Sequence, residues 1–240
     1  MRQFSRGVGG LLALSLFLGM AAVCSAAEGE ESASSPAREG RPVAAGELPA
    51  SVARLPLVWI DVLDAVPYAF PRASREASDI LADGGVAATW VHGDSSTVTT
   101  EGELKIVLMP GAANGARLPE HVMGGTRRGL QSRTTWVYVS NVMWALGLKA
   151  QAVAELSEEQ KDEVSRALGK VIAHEVIHAV APDLPHSGRG LMSGTLGRNF
   201  LLQARVSLQP VERRALRTGV LAFAPDDTAA SAVTLVSAQR

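Results

Sequence analysis

The chain has 240 residues, 47% of them hydrophobic, with 23 Lys and Arg against 24 Asp and Glu for a formal net charge of −1. It is long enough for one substantial core, and its near-neutral balance without a basic run argues against nucleic acid or an anionic membrane surface as a partner. Its single cysteine, Cys24, excludes an internal disulfide.

Arg2 and Arg6 precede an uncharged apolar run over residues 8–23, and Ser25, Ala26 and Ala27 follow before the acidic Glu28, Glu30 and Glu31. A basic start, an apolar middle and a small-residue end make residues 1–26 a secretory signal peptide, cut after Ala26. The apolar run is also near the length that spans a bilayer, so an uncleaved anchor is the alternative. The expected location is secreted or periplasmic, with no membrane contact unless the signal is retained. Met20, Ala21, Ala22 and Val23 fit poorly as the lead-in to an acylated cysteine at Cys24. Residues 27–54, rich in Glu, Ser, Ala, Pro, Arg and Gly without periodicity, read as a flexible tether.

A folded domain is expected over residues 55–221. Residues 55–63, rich in branched and aromatic side chains, fit a first strand. Pro71 and Arg72 mark a break, and Ala77, Ile80 and Leu81 have helical spacing within residues 73–82. Gly84 and Gly85 end that helix. Strands are expected at 86–91 and 104–109, the latter stopped by Pro110. Residues 112–133 read as an irregular loop, with His121 a surface histidine there and His92 another outside it. Residues 134–140 alternate as a strand does, and 142–148, apolar throughout, either extend it or turn helical. The tryptophans Trp59, Trp90, Trp136 and Trp144 are expected in the core.

The centre of the chain is the helix that begins after Ser157. Ser157 is a good N-cap with Gln160 three residues on to complete a capping box, and Glu158 and Glu159 suit the positive end of the helix dipole. Near its other end His174, Glu175, Val176, Ile177 and His178 spell H-E-x-x-H. Histidines four apart share a helix face, so both imidazoles reach one metal ion while Glu175 stands beside it as the base for a metal-bound water. Pro182 pushes Ala181 out of the α region, which ends the helix near Val180.

Catalytic zinc usually has three protein ligands. The next histidine, His186, supplies the third; Asp183, nearer the helix, is the substitute. Ser187, Gly188, Gly190, Leu191 and Met192 follow His186. H-E-x-x-H, a turn, His-Ser, glycine and Leu-Met resembles the metzincin zinc endopeptidases, and most closely their matrixin-type pattern. The spacing departs from that pattern. Ala181 stands where the family has glycine, His186 comes two residues late, and Met192 follows it at a shorter interval.

The resemblance implies an α+β fold: a small mixed sheet packed on an active-site helix, a methionine turn at Met192, and a C-terminal helix. Residues 210–216, with Pro210 at the first helical position, suit that last helix, and residues 222–240 read as an unpatterned tail. The expected function is a zinc (Zn2+) metalloendopeptidase acting on a peptide or protein substrate, with zinc on His174, His178 and His186 and Glu175 as catalytic base. No tyrosine follows Met192 to polarise a carbonyl. An extended substrate is expected along an edge strand, for which 104–109 is the candidate. The alternative is a secreted protein that keeps the H-E-x-x-H helix and zinc for folding or binding without catalysis; an envelope-tethered interaction module without metal is a third reading.

Overall fold

The computed structural model describes residues 52–94, 96–98, 100–111, 119–126, 132–148 and 153–223. The expected signal peptide, nearly all of the tether and residues 224–240 of the expected tail lie outside them.

The strands are β1 (Ala53–Asp61), β2 (Val86–Gly93), β3 (Leu104–Met109), β4 (Gly124–Thr126) and β5 (Thr134–Tyr138). They form one five-stranded sheet in the order β2-β1-β3-β5-β4. β1 runs parallel to β2 and β3, and β3 parallel to β5, whereas β4 is antiparallel to β5. The mixed sheet anticipated from the sequence is therefore present. Strand 104–109, expected at an edge, lies inside between β1 and β5, and the edges are β2 and β4. β4 falls within the stretch read as an irregular loop.

Side chains two apart point to the same face of a strand, and one face carries the core: Leu55, Leu57 and Trp59 of β1, Leu104, Ile106 and Leu108 of β3, and Val137 of β5. The helices α1 (Phe70–Asp83) and α3 (Glu158–Val180) cover it. α1 starts earlier than its periodicity suggests because Pro71 is not a break. It occupies the first turn, where the missing N–H has no intrahelical partner to lose. α2 (Val139–Ala145) follows β5 directly, so the ambiguous apolar run is helical.

α3 begins as its capping residues require. The Gln160 backbone N–H donates to Ser157 Oγ at 3.2 Å and the Ser157 N–H donates to Gln160 Oε1 at 2.9 Å. From Val164 onward it is buried on nearly all sides, with Leu168, Ile172 and Val176 fully enclosed, each removal from water contributing roughly 2 kcal/mol. After α4 (Arg198–Leu201), α5 (Pro210–Phe223) continues past the expected Leu216. Leu216, Val220 and Phe223 keep the helical spacing and stay buried, and Arg133 lies 4.8 Å over the Phe223 ring.

Candidate metal centre

The last turns of α3 bring His174 and His178 together, their ring centroids 4.7 Å apart. His174 is buried, and its Nδ1 lies 2.7 Å from the Leu191 carbonyl oxygen. A carbonyl only accepts, so Nδ1 carries the hydrogen and Nε2 is left with its lone pair, the form a metal ligand needs. α3 stops at Ala181, whose φ of −127° and ψ of 67° are not helical. The Leu184 N–H then donates to the Ala181 carbonyl at 3.0 Å, closing a turn that takes up the additional residues before His186.

His186 returns from that turn to within 5.3 Å of His174 and 4.8 Å of His178, centroid to centroid. Its Nε2 is 3.0 Å from His178 Nε2. One ligand nitrogen from each of His174, His178 and His186 lies within 4.8 Å of the others, so the three could hold one ion. Behind them the chain folds back on itself: the Ser187 N–H donates to the Met192 carbonyl at 2.7 Å, Ser187 and Ser193 form an isolated bridge, and Met192 is fully buried.

Among solved structures the chain is similar to archaemetzincin from Methanopyrus kandleri. The identity is 14%, covering 72% of this chain and 99% of that one, with a TM-score of 0.49. No family model matches, and no curated protein does. At such an identity, what this chain does has to be read from its own site.

The donor set suits a divalent cation. His174 has its tautomer fixed by Leu191, and the facing Nε2 atoms of His178 and His186 leave room for only one proton between them. Burial holds His174 well below the ordinary histidine range, to about 4, with the Leu191 carbonyl opposing and His186 adding to the shift. Three imidazoles converging in this way are borderline-soft ligands of the kind zinc and its neighbours take.

Glu175 points to the sheet side of this cluster. Its Oε2 accepts from Thr126 Oγ1 of β4 at 2.9 Å, and a side chain at Gly124 would collide with its Cγ and Oε1 at 2.6 Å. Burial pushes the Glu175 carboxyl up to about 7, and the Thr126 hydrogen bond works against that rise. A cleft of about 630 Å³ opens over the histidines and Glu175, walled by β4 on one side and by Pro182, Leu184 and Ser193 on the other.

Asp183 also lines the cleft, but it is exposed and is not one of the convergent ligands. His121, read as a surface histidine of an irregular loop, is exposed and lies in the cleft wall. The turn that carries it is fixed by Asn141 Nδ2 donating to the Val122 carbonyl at 2.7 Å, a contact that no spacing announces. Trp59 and Trp90 sit in or against the core as expected, whereas Trp136 and Trp144 are 37% and 50% exposed. Trp136 takes the strand face opposite the core residues Thr135 and Val137, and Trp144 the open side of α2. Sequence reasoning did not find Thr126 or Gly124, and their only local signal is a Gly-Gly-Thr triplet in a glycine-rich stretch.

Proposed function

We propose that this chain is a secreted or periplasmic zinc-dependent metalloendopeptidase. The observation that carries the reading is the convergence of His174, His178 and His186 beside the buried Glu175 at the floor of an open cleft. His174, His178 and His186 would hold the ion; Asp183, outside the cluster, has less support as the third ligand. A bound zinc would supply Lewis acidity toward a peptide carbonyl and lower the pKa of a water.

The chain's own residues do the rest. Glu175 takes the proton of the attacking water and hands it to the leaving amine. Leu191 fixes the His174 ring. Met192, buried behind the histidines, serves as the methionine-turn residue. β4, an edge strand of the sheet among the described residues, runs along the cleft and offers main-chain groups to an extended peptide. The basic, apolar and small-residue pattern over residues 1–26 supports export with cleavage after Ala26.

The non-catalytic alternative has less support, since a purely structural zinc site fills its fourth position with protein and has no use for a buried carboxylate beside an open cleft. The test uses protein starting at Ala27. Metal analysis should give about one zinc per chain, lost in His186→Ala, and the wild type should cleave an unstructured peptide library that Glu175→Ala leaves intact. Equal cleavage by both proteins would reject the role of Glu175, and zinc without cleavage would favour the non-catalytic reading.

A further inference from the structure

The carboxylate of Glu175 has rotatable bonds of its own, and the helix that fixes its Cα does not fix where its oxygens point. What meets it is the inner face of β4. Gly124 and Thr126 are two apart and share that face. At Gly124 the absence of a side chain is what admits the carboxylate, since a Cβ would stand 2.6 Å from both Glu175 Cγ and Oε1. At Thr126 the hydroxyl contacts Oε2 at 2.9 Å.

Thr126 Oγ1 is also 2.8 Å from Thr135 Oγ1, which is fully buried and lies 3.2 Å from the Gly125 carbonyl. The Thr126 hydroxyl donates to Glu175 Oε2, with the Glu175 main-chain oxygen 3.3 Å away, while the Thr135 hydroxyl donates to the Gly125 carbonyl and packs against Thr126 Oγ1. A line of polar contacts therefore runs from Thr135 through Thr126 to Glu175. It crosses from the inner strand β5 through the edge strand to the helix, in a buried setting where such contacts hold a side chain in place.

We propose that Thr126, oriented by Thr135, is the positioning residue that aims the Glu175 carboxylate into the cleft. The proposal rests on the metallopeptidase reading for its kinetic consequence, whereas its geometric content stands apart from it. Thr126 touches neither the histidines nor a substrate by any contact described above; it acts through Glu175. β4 would thus do two jobs, holding the base from its side chains and leaving its outer main-chain edge for substrate.

The test compares zinc-loaded wild type, Thr126→Val, Thr126→Ser and Glu175→Gln by steady-state kinetics on a quenched fluorescent peptide and by crystallography. Thr126→Val keeps the shape and removes the donor; it should lose about 10- to 100-fold in kcat, as loss of an outer partner to an active-site group typically does, with KM, zinc content and melting temperature unchanged. Thr126→Ser restores the hydroxyl and should stay within about 3-fold of wild type by the same reasoning. In the crystals the Glu175 carboxylate should keep its contact with residue 126 in the Ser variant and leave its place in the Val variant. A carboxylate unmoved in Thr126→Val, or Val and Ser variants of equal activity in a wild type that cleaves, overturns the proposal. If wild type and Glu175→Gln are equally inert, the metallopeptidase reading fails instead, and the carboxylate's position in the Val crystal alone supports or overturns the role of Thr126.

Discussion

Glu175 and His174 are neighbours in the chain, yet burial moves their proton affinities in opposite directions, the carboxyl up to about 7 and the imidazole down to about 4. Both shifts favour the uncharged form, because each group sits where water cannot solvate a charge. Their consequences for stability differ in sign. His174 binds its proton less readily folded than unfolded, so folding is penalised as pH falls from about 6.5 towards about 4. Glu175 binds its proton more readily folded, so the stability it contributes is complete below about 4.5 and lost as pH rises through about 7. Between those limits the two slopes oppose each other, and above neutrality only the cost of the buried carboxylate remains. In chelator-treated protein, Glu175→Gln should therefore be more stable than wild type by up to about 3 kcal/mol at pH 8, an advantage that shrinks towards pH 5. Urea denaturation at the two pH values measures it. An advantage that is the same at both would show that ionisation of Glu175 is not its source.

The C-terminal end of α3 carries the histidines, and α5 packs against it at Gly219. A Cβ there would run into the Val180 carbonyl oxygen and approach Val180 Cγ2 at 3.2 Å. On propensity alone, alanine in place of a helical glycine gains up to about 1 kcal/mol. The obstruction is backbone, which cannot rotate aside, and overpacking of this kind costs about 1–3 kcal/mol. The collision decides the sign: Gly219→Ala should lower the melting temperature and weaken zinc retention by displacing the Val180–Ala181 exit towards His186, and calorimetry with metal analysis checks both. Much at this scale was legible beforehand. The Ser157–Gln160 box, the stop before Pro182 and the i, i+4 pair His174 and His178 depend on residues a few positions apart, where spacing and geometry coincide. The core strands showed themselves by alternation. β4 did not, because three residues are too short to display a period, and the inner place of β3 was hidden because strand order depends on pairings that no single segment encodes.

Across the whole molecule the site is assembled from separate parts of the chain: Thr126 on the sheet edge, the H-E-x-x-H turn of α3, His186 and Leu191 on the return loop. The histidines could be paired from the sequence because the metal chemistry itself specifies what must converge. Thr126 and His121 could not, since nothing in their neighbourhood says which distant element they meet. The same limit hides what holds the site helix in the fold. Lys170, one turn before His174, has no solvent exposure; its Nζ is 3.1 Å from Glu76 Oε1 on α1 and donates at 2.9 Å to the Leu201 carbonyl at the end of α4. Burial lowers the Lys170 pKa and the Glu76 carboxylate opposes that shift. A buried ion pair adds little over a well-packed apolar replacement, but removing one partner strands the other, at about 3–5 kcal/mol. Lys170→Met should thus destabilise the protein by that order and loosen α1 and α4 from α3, whereas adding Glu76→Leu should recover most of the loss by removing the stranded carboxylate. Chemical denaturation of the two variants measures this. If the double variant is no more stable than Lys170→Met, the cost lies in the Leu201 carbonyl left without its donor, and α4 is the element that Lys170 holds to the site helix.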